Sequence, residues 1–203
     1  MDTKEKITQR ALELFNQNGI EYVGMRELAA SLGMKIGNIT YYFPTKNDLV
    51  NQLALDLSAL NVKTLHPPGN LTLLSFLQRR EENFKNQHRY RCLFLSFVHI
   101  IKQNPIVAER YKNVEKERGS GLIGDIKMLE QQEYLKIGSQ EALLSLAAAI
   151  GLIARFWISE AAITYSSFSV ERQIQHYSGL IARMLFPYAT KTGERQIEMF
   201  LAR

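Results

Sequence analysis

Cysteine is almost absent from this sequence: Cys92 is the single one in 203 residues. No disulfide can close within such a chain, and a lone thiol suits a reducing compartment. Proline is scarce as well, and the five present stand where helices are expected to begin or stop rather than inside them. Alternating runs of Val, Ile and Thr joined by hairpin turns are missing, which argues against a sheet. No glycine-rich phosphate loop occurs. His66, His88, His99 and His176 lack metal-ligand spacing, so no metal or other cofactor is expected. Cys92 and His99 stand seven apart on one expected helix and are not read as a nucleophile and its base. The longest uncharged apolar run, Ala142 to Ala154, falls short of the ~20 residues that cross a bilayer and is read as a buried helix, not a membrane span. The opening residues MDTKEKITQRALELF show no basic-then-apolar leader pattern. A cytoplasmic protein that is not an enzyme is the expectation.

What is present is ordinary for a globular chain: 46% hydrophobic and 22% charged residues. The net charge of +5 is unevenly placed. The first fifty residues hold six basic and six acidic side chains, so the whole excess lies further along. Apolar residues recur at helical spacing almost throughout. The pattern predicts helices over about Thr3–Asn18, Met25–Leu32, Ile36–Phe43 and from Lys46 to near Leu65. Others follow over Leu71–Gln87, Arg89–Gln103, Pro105–Lys136, Gln140–Tyr165, Val170–Leu185 and Gly193–Arg203. Thr3 is expected to cap the first. Gly119, Gly121 and Gly124 are expected to bend or divide the helix that holds them. His66-Pro67-Pro68-Gly69-Asn70 is the clearest break. The expected fold is all-α: an N-terminal three-helix helix-turn-helix domain over 1–46, joined by a connecting helix to a larger helical bundle within 47–203.

Met25 to Phe43 reads as two short helices meeting at Gly33, the helix-turn-helix arrangement, in which the second helix enters the major groove of DNA. Leu28, Ala29, Leu32 and Ile39 can face inward. Lys35, Asn38, Thr40, Tyr41 and Tyr42 are left for the outside, where Asn can pair with adenine and Thr and Tyr can reach phosphates. Gly37 permits close backbone approach. The string from Gly19 to Leu49, with Arg26, Leu28-Ala29, Gly33, Gly37, Tyr41-Tyr42, Phe43-Pro44 and Lys46, closely resembles the N-terminal domain of the TetR family of transcriptional regulators. Over residues 5–50 the resemblance is one of sequence; beyond that it is one of architecture. It implies double-stranded operator DNA as the partner. By position it implies DNA contacts from Arg26, Lys35, Ile36, Gly37, Asn38, Thr40, Tyr41 and Tyr42, with Lys46 as a phosphate clamp. Without the motif, Arg26 reads more readily as a surface partner of Glu27 or Asp48.

The larger domain is expected to self-associate and to sense, because paired half-sites call for a symmetric dimer. Ala147, Ala148 and Gly151 are small residues that permit close helix approach. With Ile174, Tyr177, Ile181 and Leu185 they form the expected homodimer interface. Phe76, Phe84, Cys92, Phe94, Phe97, His99, Tyr111, Phe156 and Trp157 form a candidate lining for a small apolar or aromatic ligand, although an aromatic stripe of this kind also makes a plain core. The resemblance implies a repressor released from its operator by such a ligand, with the helix that follows Lys46 as the lever between domains; the alternative readings are a DNA-binding regulator with no small-molecule effector, or a helical adaptor or enzyme reusing the fold.

Overall fold

The computed structural model describes residues 2–63 and 71–203. The expected break at 66–70, and the end of the fourth helix near Leu65, lie outside these residues. Among the described residues the structure is helical, with one isolated antiparallel bridge, Leu135 to Ala189, and no strand. Eleven α-helices follow in order: α1 Thr3–Asn18, α2 Met25–Ser31, α3 Ile36–Tyr42, α4 Lys46–Val62, α5 Leu73–Arg89, α6 Arg91–Leu95, α7 Phe97–Gln103, α8 Pro105–Gln131, α9 Gln140–Thr164, α10 Val170–Leu185 and α11 Lys191–Leu201. A 3-10 turn, Phe186–Tyr188, links the last two.

Local chemistry accounts for the boundaries. Asp2, not Thr3, caps α1. Its carboxylate accepts the Glu5 N–H at 2.7 Å, and the Glu5 carboxylate accepts the Asp2 N–H at 2.9 Å, a closed capping box. Ser139, Ser169 and Thr190 cap α9, α10 and α11 in the same manner with hydroxyl oxygens. Gly33 follows α2 with φ +64°, a conformation that a Cβ would disfavour. The three glycines of α8 do not divide it; the helix runs unbroken through them to Gln131. The expected single helix over 89–103 is instead two, parted at Ser96.

Packing divides the chain into two compact units, and the division is not a single cut. The first unit takes Met1–Val62 together with Arg89–Tyr111, so it is larger than the 1–46 segment read from sequence. Its core joins Ile7, Phe15, Leu28, Ile39, Phe43, Leu49 and Leu53 to Cys92, Leu93, Ile100 and Val107. Polar side chains lock the later segment onto the earlier one. Asn16 accepts the Cys92 N–H at 3.0 Å and donates to the Arg89 carbonyl at 2.8 Å. Asn104 donates to the Asn47 carbonyl at 3.2 Å, and Arg110 donates to Asn51.

The second unit holds α5, the remainder of α8, and α9 to α11. Arg79 and Arg80 of α5 share Asp125 of α8 as their carboxylate. Trp157 of α9 is fully enclosed; its indole N–H donates to Gln87 at 2.6 Å, and its ring lies 5.1 Å from Phe84 and 5.6 Å from Tyr177. Burying so large a ring with its one polar atom satisfied makes it the pivot of this core.

Candidate nucleic-acid interface

Helix α3 is seven residues long and turns few of them inward. Ile39 is wholly buried, and Phe43, its C-cap, packs with it. Every other residue from Lys35 to Tyr42 is exposed. Ile39 and Phe43 stand one turn apart and hold α3 against the first core, so the remaining positions must point outward. Tyr41 is 81% exposed and meets Tyr42 edge to face at 5.0 Å. The Thr40 hydroxyl donates back to the Ile36 and Gly37 carbonyls at 3.3 Å. Its oxygen still has lone pairs outward, and its methyl is free to meet a thymine. Ile36 is 38% exposed, an apolar side chain that water does not favour and a thymine methyl would.

The turn before α3 is fixed from behind. The Met34 N–H donates to the Ala29 carbonyl at 2.9 Å, and the Ser31 hydroxyl donates to the Leu28 carbonyl at 2.8 Å. Arg10 of α1 then donates to Ser31 at 3.2 Å. These bonds hold α2 and α3 as one rigid hairpin on α1. Arg26, at the start of α2, is exposed and forms no ion pair among the described residues, so the alternative pairing with Glu27 or Asp48 is not made. Asp48 is occupied instead: it accepts the Thr45 N–H and hydroxyl at 2.9 and 2.7 Å, capping α4.

Lys46, read from sequence as a phosphate clamp, is turned toward the α1–α2 turn. Its ammonium donates to the carbonyls of Ile20, Glu21 and Val23 at 2.8, 3.3 and 3.2 Å. Three donors meet three acceptors, and the α1–α2 turn is thereby tied to the start of α4. Nothing in the residue's identity distinguishes a Lys that faces phosphate from one that braces a turn. Sequence reasoning also missed Glu21. Its carboxylate accepts the Ser96 hydroxyl at 2.6 Å. Burial pushes Glu21 upward, but the Ser96 hydroxyl, its own backbone N–H, and the charges of His99 and Lys46 outweigh that and hold it below the usual carboxylate range. Tyr22, in the same turn, is strongly exposed, and no sequence signal singled it out.

The expected ligand lining is divided between the two units. Phe76, Phe84, Phe156 and Trp157 belong to the second unit; Cys92, Phe94, Phe97, His99 and Tyr111 belong to the first. Cys92 and Phe94 pack in the core that supports the reading helices, and His99 is exposed rather than an interior handle. Phe97 and Tyr111 stack edge to face at 4.9 Å. Burial pushes the Cys92 thiol up to about 12, so it is inert at neutral pH. Helical spacing gave the stripe but could not say which neighbour each ring meets.

The expected dimer surface is likewise redrawn. Ala147, Ile174, Tyr177, Ile181 and Leu185 are buried inside their own unit, where α10 packs on α9 and α11. Ala148 is exposed and Gly151 partly so. α9 leaves apolar surface outside: Leu144, Ala148, Leu152 and Phe156 follow at four-residue steps, and Ile163 lies about two turns beyond. By length and composition α9 is apolar enough to cross a membrane. Its other face is packed by Leu146, Ile150, Trp157 and Ile158, and its Arg155 pairs with Glu115 of α8.

Comparison with known proteins divides the chain once, between residues 53 and 60. The family model described as bacterial regulatory proteins, tetR family, matches residues 7–53, and one described as a bacterial transcriptional repressor matches residues 60–197. A probable HTH-type transcriptional regulator, YttP, of Bacillus subtilis (strain 168) is 31% identical over 103 residues, which is 46% of this chain and 47% of that protein. The match therefore spans about half the length of that relative. A TetR-family transcriptional regulator from Marinobacter aquaeolei VT8 superposes with a TM-score of 0.89 at 18% identity, covering 98% of each chain. A transcriptional regulator from Saccharomonospora viridis, solved in complex with choline, gives 0.69 at 16% identity over 88% of this chain and 94% of that one.

Proposed function

Because the chain belongs to the TetR family of bacterial transcriptional regulators, we propose that it is a cytoplasmic repressor that binds a two-fold operator as a homodimer and leaves it when a small apolar or aromatic molecule binds. One observation carries the DNA-reading part: α3 offers Lys35, Ile36, Gly37, Asn38, Thr40, Tyr41 and Tyr42 to the outside while Ile39 and Phe43 anchor it. In this reading Asn38 pairs with a base edge, Ile36 and Thr40 meet thymine methyls, and Arg26, Tyr41 and Tyr42 hold the backbone. Lys46 acts from behind as the brace of the turn. The repressor assignment is supported by the family model over 60–197. The exposed stripe of α9 is the surface on which two copies meet, since Leu144, Leu152 and Ile163 gain by leaving water. Effector response is supported by the choline complex of a structural neighbour. In this chain the enclosed Phe84–Trp157–Tyr177 stack is where an aromatic guest would compete for packing.

Selection of duplexes from a random pool tests the reading. The wild-type protein is expected to enrich an inverted repeat with half-sites about 10 bp apart, or a multiple of that. On the selected duplex, Asn38→Ala is expected to cost about 1–3 kcal/mol and to relax one base position. Absence of enrichment, or affinity untouched by Asn38→Ala and Arg26→Ala together, overturns the assignment. The effector part is tested by adding aromatic compounds to the preformed complex and scoring release.

A further inference from the structure

The second unit carries a cleft of about 480 Å³, of the size that receives small molecules, and none of the residues expected to line a ligand site contributes to it. Its walls come from α5, the α9–α10 turn, α10 and α11, and they include Arg172, Arg183 and Arg203. None of these three guanidiniums has a carboxylate partner among the described residues. The one acid in the wall, Glu81, shares its charge with Lys85 at 3.7 Å. The cleft is therefore strongly cationic, and its other walls are aromatic: Tyr165, Phe168 and Phe200.

The arrangement is built rather than incidental. The Gln173 amide donates to the Tyr165 and Phe168 carbonyls at 3.0 and 3.2 Å, which fixes the α9–α10 turn. Tyr165 and Phe168 then stack at 5.0 Å, and the Arg172 guanidinium lies 3.8 Å above the Phe168 ring. A guanidinium laid on a ring keeps its N–H donors in its own plane, open to a planar acceptor. Gly179 makes room for the second fork: a Cβ there would sit 2.8 Å from a terminal nitrogen of Arg183. A side chain at that buried position would require the Arg183 fork to shift. Arg203 lies 5.4 Å over the Phe200 ring, repeating the pairing of cation and aromatic face.

We propose that this cleft binds a small aromatic carboxylate, its anionic group held by Arg172 and Arg183 and its ring packed on the aromatic wall. The cleft shares no residue with the Phe84–Trp157–Tyr177 stack but adjoins it, since Tyr165 and His176 of its wall meet the Tyr177 ring at 6.2 and 5.0 Å; the inference does not rest on operator recognition, because it is measured on the full-length protein without DNA.

Calorimetric titration with 3-phenylpropionate, its neutral amide and inorganic phosphate tests it. 3-Phenylpropionate is expected to bind, with the amide and phosphate each weaker by about tenfold or more, a difference of about 1.4 kcal/mol. The double variant Arg172→Gln, Arg183→Gln is expected to lose about tenfold or more for 3-phenylpropionate. Both side chains are exposed and Gln suits a helix, so folding is expected to persist and is checked by the melting temperature. Arg195→Gln, exposed on α11 and outside the cleft, is expected to bind as the wild type does. No binding of 3-phenylpropionate, equal binding of the amide or of phosphate, or an unaffected double variant each overturns the proposal.

Discussion

Helices α3 and α9 both leave side chains outside, and they do so with opposite chemistry. α3 shows Lys35, Asn38, Thr40 and Tyr41, groups that water satisfies until another hydrogen-bonding surface replaces it. α9 shows Leu144, Leu152 and Ile163, the last 83% exposed, to which water offers nothing. The first surface costs the folded chain little while it waits, and its value lies in where the donors and acceptors are held. The second carries a standing penalty of about 25 cal/mol per Å² of apolar surface, relieved only by being covered. A recognition surface can therefore be polar and idle, whereas an assembly surface of this kind is driven to be occupied.

The largest expected effect breaks the comparison on the α9 side. Leu152→Glu places a charge at the middle of the stripe in both copies. At about 2 kcal/mol per subunit, the dimer is expected to weaken on the order of a thousandfold, read by sedimentation velocity across a dilution series. A dimer that survives this change places the contact elsewhere. The next effect sharpens the α3 side by separating what touches DNA from what holds the reader. Lys46→Ala leaves three carbonyls without their ammonium and is expected to cost about 1–3 kcal/mol of stability while leaving the salt dependence of DNA binding unchanged. Arg26→Ala is expected to do the reverse, with an unchanged melt and a salt slope reduced by about one. If the two variants exchange behaviours, Lys46 is the phosphate contact after all. The smallest effect concerns the latch behind α3. Ser96→Ala removes the hydroxyl from Glu21 and is expected to cost about 1 kcal/mol at pH 7. The folded-state value for Glu21 is lowered from 4.5, so its contribution is present above that value and lost as pH falls through the lowered one. The gap between wild type and variant is therefore expected to close in melts run below that pH. A gap that persists in acid assigns the loss to packing of Ser96 rather than to the carboxylate.

The amino-terminal segment was legible in the sequence because its residues carry their own orientation. A Gly at φ +64°, a Pro after Phe43, and one buried Ile in a helix of polar neighbours leave few ways to fold. α10 was different. Ile174, Tyr177, Ile181 and Leu185 form a clean apolar stripe, and a stripe says only that something will cover it. The chain's own α9 and α11 do so, and apolar side chains on the outer face of α9 stay exposed. The division of the expected ligand lining between units was hidden for a related reason. Aromatic rings at helical spacing were grouped by nearness in sequence, whereas residues 89–111 fold back beside α1 and α4 and take five of the nine with them. The guanidinium cleft was invisible because it joins a turn to faces of α5, α10 and α11 that no short window contains.

That return of residues 89–111 makes the DNA-reading head non-modular. A fragment cut after Val62 would expose the flank of Leu49, Leu53 and Leu57 that Cys92, Leu93 and Ile100 share in one core, and would strand Asn16 without either of its backbone partners. Chimaeras that exchange heads among such regulators must therefore graft two discontinuous stretches, and the chain between them is obliged to leave the head and come back before the head can finish folding.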